Sequence, residues 1–314
     1  MKNKDFVAMI LSHGRPNDVY TYKTLRKHNY TGDIIIVVDN EDKTIDEYKK
    51  NFNNVVVFNK QRIANETDQG DNLNDLRTTT HARNAMFKIA KYYGYKYFIQ
   101  LDDDYNDFRY RYIMDLYITD LTKKYYCKGC CNTLDDVFDI LLNFYKSINA
   151  KSIAIAQGGD FIGGEGCAMI KSYERLSRKC MNSFICSIDR PFKFISRLNE
   201  DVNTYLTLGA RGDLFLTLPY IGLEQKQTQA TSGGMTDTYL DNGTYQKSFF
   251  SIMYNPSFCK ISLMGCTNKR LHHSIDWDRA VPKIISEDYK KQKIKQTLWE
   301  NNTIKNTTIT FLTF

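Results

Sequence analysis

Three consecutive carboxylates, Asp102-Asp103-Asp104, follow directly on the run Phe98-Ile99-Gln100-Leu101. Side chains of an extended chain alternate between faces, so Asp102 and Asp104 share one side and Asp103 takes the other. Two carboxylates a few Å apart repel each other unless a cation lies between them. Mg2+ or Mn2+ suits such a pair, because it accepts one or two carboxylates and keeps positions open for substrate phosphates. The competing role is an ordinary polar turn, where Asp is common. Two other polar runs follow apolar ones in the same way: Ser12-His13-Gly14-Arg15 after Phe6 to Leu11, and Asp39-Asn40-Glu41-Asp42 after Ile34 to Val38.

The elements that position these runs alternate between strand and helix. Strands are expected at 6–11, 34–38, 55–58 and 97–101. Helices are expected from Asn17 or Asp18 to about His28, from Thr44 through Phe52, and from Thr80 with Ala82, Ala85, Met86, Ile89 and Ala90 on one face. Residues 60–79 read as a long polar loop. Alternating strands and helices imply a parallel sheet with helices on both faces, and ligands of such sheets bind beyond the carboxyl ends of the strands. One crevice then collects Ser12, His13, Arg15, Asp39 and the acidic triplet. Arg83, on the helix before the acidic strand, reaches towards it, either for a ligand or as an ion-pair partner of the aspartates.

Beyond residue 105 the pattern loosens. A strand is expected over 109–117, an amphipathic helix over 134–145 with Val137, Ile140, Leu141 and Phe144 on one side, and strands over 153–156 and 213–218. Asn199-Glu200-Asp201-Val202 opens a helix to about Leu208. The glycine run from Gly158 to Gly166 lacks the Gly-Lys-Ser/Thr of a phosphate-binding loop and reads as a tight turn. Residues 222–257 are polar and aromatic with little periodicity, which in a compact domain marks a functional loop. A basic helix is expected from about Ser286 to Trp299.

At 314 residues the chain is long enough for one elaborated domain. It divides as residues 1–105, residues 106–275 as the second half of the same domain, and an extension over 276–314. No run approaches the roughly 20 apolar residues that cross a bilayer, and no apolar signal core follows Lys2 and Lys4, so a cytoplasmic protein without membrane attachment or an obligate protein partner is expected. The formal net charge of +7 is compatible with a polyanionic partner without establishing one. Of the eight cysteines, Cys127, Cys130 and Cys131 form the single cluster; it reads as free thiols or as part of a zinc site lacking its fourth ligand.

The ordered set Ser12-His13-Gly14-Arg15-Pro16, Asp39, Arg83-Asn84-Ala85, Asp102-x-Asp104, Asn199-Glu200-Asp201 and a late histidine resembles glycosyltransferases of the GT-A type. The segment Ser232-Gly233-Gly234-Met235-Thr236-Asp237-Thr238-Tyr239, with Gly243 to Phe250 and Pro256-Ser257, is similar to the TET-associated glycosyltransferases of bacteriophages. The resemblance implies a mixed, Rossmann-like α/β sheet flanked by helices with acceptor-binding elaborations. It also implies transfer of a sugar from a nucleotide-sugar, a UDP-sugar first, to the hydroxymethyl group of a modified pyrimidine in phage DNA. A saccharide or protein acceptor, or a nucleic-acid-binding protein without catalysis, are the alternatives.

On this resemblance Asp102 and Asp104 hold the metal, and His272 or His273 completes its shell, a ligand that points to Mn2+. Ser12, His13, Arg15, Asp39, Asp102 and Arg83 face the donor. Asp201, with Glu200 beside it, is the base that takes the acceptor proton, or a donor-sugar ligand if configuration is retained. The dipole of its helix is expected to keep Asp201 ionised. Tyr239, Tyr245, Phe249 and Phe250 could stack on a flipped base, and Lys226, Lys247, Lys269 and Arg270 could meet phosphates.

Overall fold

The computed structural model describes residues 3–112, 127–157, 180–225, 235, 238, 241, 243, 245–264 and 269–280. The glycine run, Tyr239, Lys226, the basic helix expected after Ser286, and the side chains of Cys127 and Cys130 lie outside the described residues; Cys131 is buried as a free thiol.

The first part of the chain runs β1 (Phe6–Leu11), α1 (Tyr20–Lys27), β2 (Asp33–Asp39), α2 (Ile45–Asn51), β3 (Val55–Phe58), α3 (Lys60–Ala64), α4 (Thr80–Tyr93) and β4 (Tyr97–Leu101). Next come β5 (Tyr105–Tyr112), β6 (Cys127–Cys130), α5 (Leu134–Ser147), β7 (Ser152–Gln157), β8 (Phe184–Ser187), α6 (Glu200–Ala210) and β9 (Phe215–Gln225). The last are α7 (Gln246–Tyr254), β10 (Cys259–Met264), β11 (Arg270–Ile275) and α8 (Trp277–Ala280).

Among the described residues nine strands form one sheet in the order β3-β2-β1-β4-β8-β7-β9-β5-β6, and β10 and β11 pair as a separate antiparallel hairpin. The first four strands are parallel. β8 then runs antiparallel to both β4 and β7, so the sheet is mixed rather than parallel throughout. β8 is only Phe-Ile-Cys-Ser, too short to carry a period, and its insertion reverses the direction. Because β7 and β9 run parallel, the carboxyl ends of β1, β2, β4 and β9 lie along one edge, and the turn before β8 meets them there. Residues before and after 105 thus share one sheet.

Alternation along β1 feeds two cores. Phe6, Ala8 and Ile10 join a cluster with Leu25, Tyr48, Phe138 and Tyr145 on the α1, α2 and α5 side. Val7 and Met9 join Met86, Ile89, Phe98, Val202 and Tyr205 on the α4 and α6 side. Burial on both faces explains why these strands read as continuous apolar runs. On α5 the buried stripe is Leu134, Val137, Phe138, Leu141, Leu142 and Tyr145, centred on Phe138, whose ring meets Phe6, Tyr30 and Phe108. Ile140 and Phe144 are instead exposed, a correction to the face read from the sequence.

The loop expected over 60–79 contains α3, and its remainder is pinned by Arg197. That guanidinium is 1% exposed, donates to Asp71 at 2.9 Å and Asp75 at 3.0 Å, and lies over the Phe250 ring. α7 occupies part of the expected loop at 222–257. It is inverted for a surface helix: Ser248, Phe250 and Ser251 are buried, whereas Tyr245, Phe249 and Met253 are exposed. Small buried serines let it lie close to its neighbours, and this polar inner face hid the helix from a periodicity reading.

Thr21 on α1 fixes the acidic turn after β4. Its N–H donates to the Asp103 carbonyl at 3.1 Å, and its hydroxyl donates to the Asp102 carbonyl at 2.5 Å and accepts the Tyr105 N–H at 2.9 Å. Thr21→Val keeps the shape and strands two buried backbone groups, so unfolding free energy should drop by about 1–3 kcal/mol in urea denaturation, with Thr21→Ser near wild type. A Thr21→Val protein as stable as wild type would contradict this clamp.

Candidate active site

The three aspartates point three ways. Asp103, behind the edge, accepts from the Ser12 hydroxyl at 2.6 Å and from Arg15 Nη1 at 3.2 Å. Ser12 Oγ also lies 2.7 Å from the Tyr48 hydroxyl; since Ser12 donates to Asp103, Tyr48 donates to Ser12. The Tyr48 oxygen in turn accepts the Arg15 N–H at 2.9 Å. Asp103, Ser12, Tyr48 and Arg15 therefore lock the ends of β1 and β4 together.

Asp102 faces α4. Its Oδ1 receives Arg83 Nη2 at 2.8 Å, while Arg83 Nε donates to Glu200 Oε1 at 3.0 Å. Arg83 is buried and lies over the rings of Phe184 and Phe194. Glu200 also accepts the Thr79 hydroxyl at 2.6 Å, so the N-cap residue of α4 serves the site instead of capping its own helix.

Asp104 faces β9. Gln225, the last residue of that strand, donates from Nε2 to Asp104 Oδ2 at 3.0 Å and accepts from Asn182 Nδ2 at 3.1 Å. Asp104 Oδ1 is buried and has no hydrogen-bond partner among the described residues. Burial raises the pKa of all three carboxyls; Arg83 opposes it at Asp102, the Ser12 hydrogen bond at Asp103 and the Gln225 hydrogen bond at Asp104. A buried acid with one orphaned oxygen, its neighbour half-neutralised by Arg83, fits a divalent cation, which would satisfy both the oxygen and the charge. Among the described residues no three His, Cys, Asp or Glu side chains come together to hold a metal. The carboxylate pair could supply two ligands to such a cation, the rest coming from other groups.

His272 and His273 lie on β11, their rings 4.3 Å apart. His273 Nδ1 is 3.4 Å from Asn199 Nδ2. They adjoin the start of α6 rather than joining a metal-holding group with the aspartates. Asn199 begins that helix from a left-handed conformation (φ 59°), and its amide donates to Ser251 on α7 at 2.7 Å. Asp201 is buried, with one oxygen on the Val202 N–H at 2.7 Å. Burial first and the Glu200 charge second push its pKa well above the ordinary carboxylate range. The expected ionising effect of the helix dipole is therefore outweighed, since it amounts to only a few tenths to 1 kcal/mol and desolvation acts more strongly.

At the end of β2, Asp39 is a hub. Its oxygens meet His13 Nδ1 at 2.7 Å and Lys60 Nζ at 3.2 Å. Burial would raise its pKa, but His13 and Lys60 overcome this and hold it at about 2; the hydrogen bond to Asp39 correspondingly raises that of His13. Asp42 takes the Gly14 N–H at 2.7 Å, which requires the left-handed backbone of Gly14 (φ 68°) and favours glycine there. His81, fully buried on α4, stays neutral, its pKa brought to about 4 by burial and then by the Lys60 charge. Lys60, Tyr48, Gln225, Asn182 and Thr79 were not singled out from the sequence. Each is remote in the chain from the residue it serves, and only the fold brings them together.

Removing Arg83 leaves Asp102 and Glu200 buried without their shared cation. Arg83→Met should lower stability by about 3–5 kcal/mol at neutral pH. Arg83 opposes the burial that raises the Asp102 pKa; with that charge gone it rises further, so the deficit should shrink as pH falls and Asp102 protonates. Urea denaturation across pH checks this; a loss that is small or independent of pH would contradict the bridge.

The sequence matches the family model of the TET-associated glycosyltransferases over residues 6–234. No curated protein matches it. Among solved structures it is similar to glucosyl-3-phosphoglycerate synthase from Mycobacterium tuberculosis, crystallised with Mn2+, UDP and phosphoglyceric acid. That likeness has 11% identity, 86% of each chain covered and a TM-score of 0.45. It is also similar to a protein from Desulfovibrio desulfuricans G20 assigned as a nucleotide-diphospho-sugar transferase, with 10% identity, 81% of this chain and 95% of that one covered, and a TM-score of 0.38. No helix among the described residues is long and apolar enough to cross a membrane. With the family match spanning most of its length, the chain belongs to the TET-associated glycosyltransferase family and is a glycosyltransferase.

Proposed function

We propose that the protein transfers a sugar from a UDP-sugar to the hydroxymethyl group of a modified pyrimidine in phage DNA, with Mn2+ or Mg2+ as cofactor. The observation that carries the donor side is the partly buried pair Asp102 and Asp104 just after β4, with the buried Asp104 Oδ1 unpartnered among the described residues. Asp104, with Asp102, would hold the cation, which when bound would supply positive charge to the departing diphosphate. Gln225 fixes one Asp104 oxygen and so directs the other to the metal. Arg83 holds Asp102 at a set angle. Ser12, His13, Arg15 and Asp39 line the donor end; Asp39, already tied to His13 and Lys60, shapes the nucleoside pocket.

The acceptor side rests on Asp201. The hydroxymethyl oxygen attacks the anomeric carbon, the bond from that carbon to the diphosphate oxygen breaks, UDP leaves, and the hydroxyl proton passes to the Asp201 carboxylate. A raised pKa makes that carboxylate a stronger base. Glu200, engaged by Arg83 and Thr79, positions the start of α6 rather than accepting the proton. The histidine pair beside Asn199 faces this acceptor end.

The direct test is mass spectrometry of nucleosides from hydroxymethylated DNA incubated with a panel of sugar nucleotides. A mass gain of one sugar with a UDP-sugar is expected, and Asp104→Asn should lower the rate on the order of 10³-fold while keeping its melting curve and losing Mn2+ binding by electron paramagnetic resonance. Label on a saccharide or protein but never on DNA would refute the acceptor; undiminished Mn2+ binding in the variant would refute the ligand.

A base works only when deprotonated, and the Asp201 pKa is raised. Activity should therefore fall with decreasing pH at a point well above that of an ordinary carboxylate, about pH 4. Glu200→Gln removes one of the raising charges and should move this limb to lower pH in a pH-rate profile. A limb that Glu200→Gln leaves in place would argue against Asp201.

A further inference from the structure

The outward stripe of α7 has no role in the site already described. Tyr245, Phe249 and Met253 are exposed by 50%, 49% and 52% and recur every fourth residue, so they form one face of the helix. The Tyr245 and Phe249 rings meet edge to face, 6.2 Å between centroids. The β10–β11 hairpin packs alongside α7. It adds Leu263 and Leu271, directly opposite one another and both exposed, with the exposed cations Lys260 on the hairpin's other face and Lys269 just before β11.

Charge identifies the occupant. From residue 242 to residue 275 the sequence contains no Asp or Glu, yet it holds Lys247, Lys260, Lys269 and Arg270. The acids that flank this stretch in the sequence, Asp241 and Asp276, are paired with Arg77 and Arg279. Asp68 accepts the Tyr254 hydroxyl at the far end of α7 at 2.9 Å, and Asp71 and Asp75 are paired with Arg197. Exposed rings interleaved with cations and free of carboxylates suit a polyanion whose flat groups stack, which is the chemistry of a nucleic-acid strand. Position agrees: the Asn199 amide joins the inner face of α7 through Ser251 at 2.7 Å, which sets that helix, stripe outward, beside the helix start that carries Glu200 and Asp201.

We infer that the exposed face of α7 and the β10–β11 hairpin form the docking surface for the acceptor DNA, with bases stacking on Tyr245 and Phe249 and phosphates meeting Lys260 and Lys269, an assignment that rests on DNA being the acceptor. Phe250, buried against Arg197, takes no part. Met253 and the two leucines exclude water around the stacked bases.

The test is fluorescence anisotropy with labelled single- and double-stranded oligonucleotides carrying a hydroxymethylated pyrimidine. It compares wild type, Tyr245→Ala/Phe249→Ala and Lys260→Glu/Lys269→Glu, each first shown to be folded by its circular-dichroism melt. Each double variant should raise Kd at least about tenfold, and the lysine pair should also flatten the dependence of log K on log salt by about 1.5 to 2 units. If the wild type binds and glycosylates DNA but both variants bind as tightly, the surface is wrong and the acceptor stands. If the wild type binds no DNA and transfers sugar to a polysaccharide, a protein or a second copy of this chain, the acceptor assignment and the surface fall together.

Discussion

One guanidinium decides whether this site can exist. Arg83 is buried with a carboxylate on either side, Asp102 from β4 and Glu200 from α6. Two acids at that depth without a cation would push α6 off the sheet or take up protons. With Arg83 in place the start of α6 is drawn against the end of β4, and the proposed metal ligands and the proposed base face one crevice. The aromatic rings of Phe184 and Phe194 under the guanidinium keep water from screening the pair, which strengthens it.

Around that bridge the acidic triplet, set in the turn after β4, divides its work among three neighbours. Asp103 turns inward and holds β1 to β4 through Ser12 and Arg15, so the residue between the proposed ligands is the structural one. Asp102 is tied to a cation of the protein. Asp104 keeps one oxygen without a partner among the described residues. The carboxylates are thus inequivalent before any ligand arrives, and the asymmetry comes from three different strands and helices.

Much of this was legible in the residues. The bounds of β1, β3 and β4 follow from apolar runs that stop at polar ones, whereas the acidic triplet lies in a turn and points three ways instead of alternating as an extended chain would. What escaped has a physical cause in each case. β8 is too short to show alternation and reverses the sheet. α7 turns its serines inward and its aromatics outward, so its pattern mimics a loop. Ile140 lies on the wrong side of α5 because burial there is centred on Phe138. Asp201 titrates against the helix-dipole expectation because burial and a neighbouring acid are tertiary effects. Gln225 gave no signal at all, since an amide ending a strand gains meaning only from what lies across the sheet.

The contacts that complete the crevice are long in sequence. Arg83 reaches Glu200 across 117 positions, and Gln225 reaches Asp104 across 121. Closing such loops is slow and entropically costly. During synthesis the acidic turn emerges long before its two distant anchors, so for that interval Asp102 and Asp104 sit on an unfinished sheet edge exposed to solvent. The amino-terminal half thus carries the acidic turn but neither of the distant residues, Glu200 and Gln225, that brace it. A chain interrupted before residue 200 has the motif without those braces.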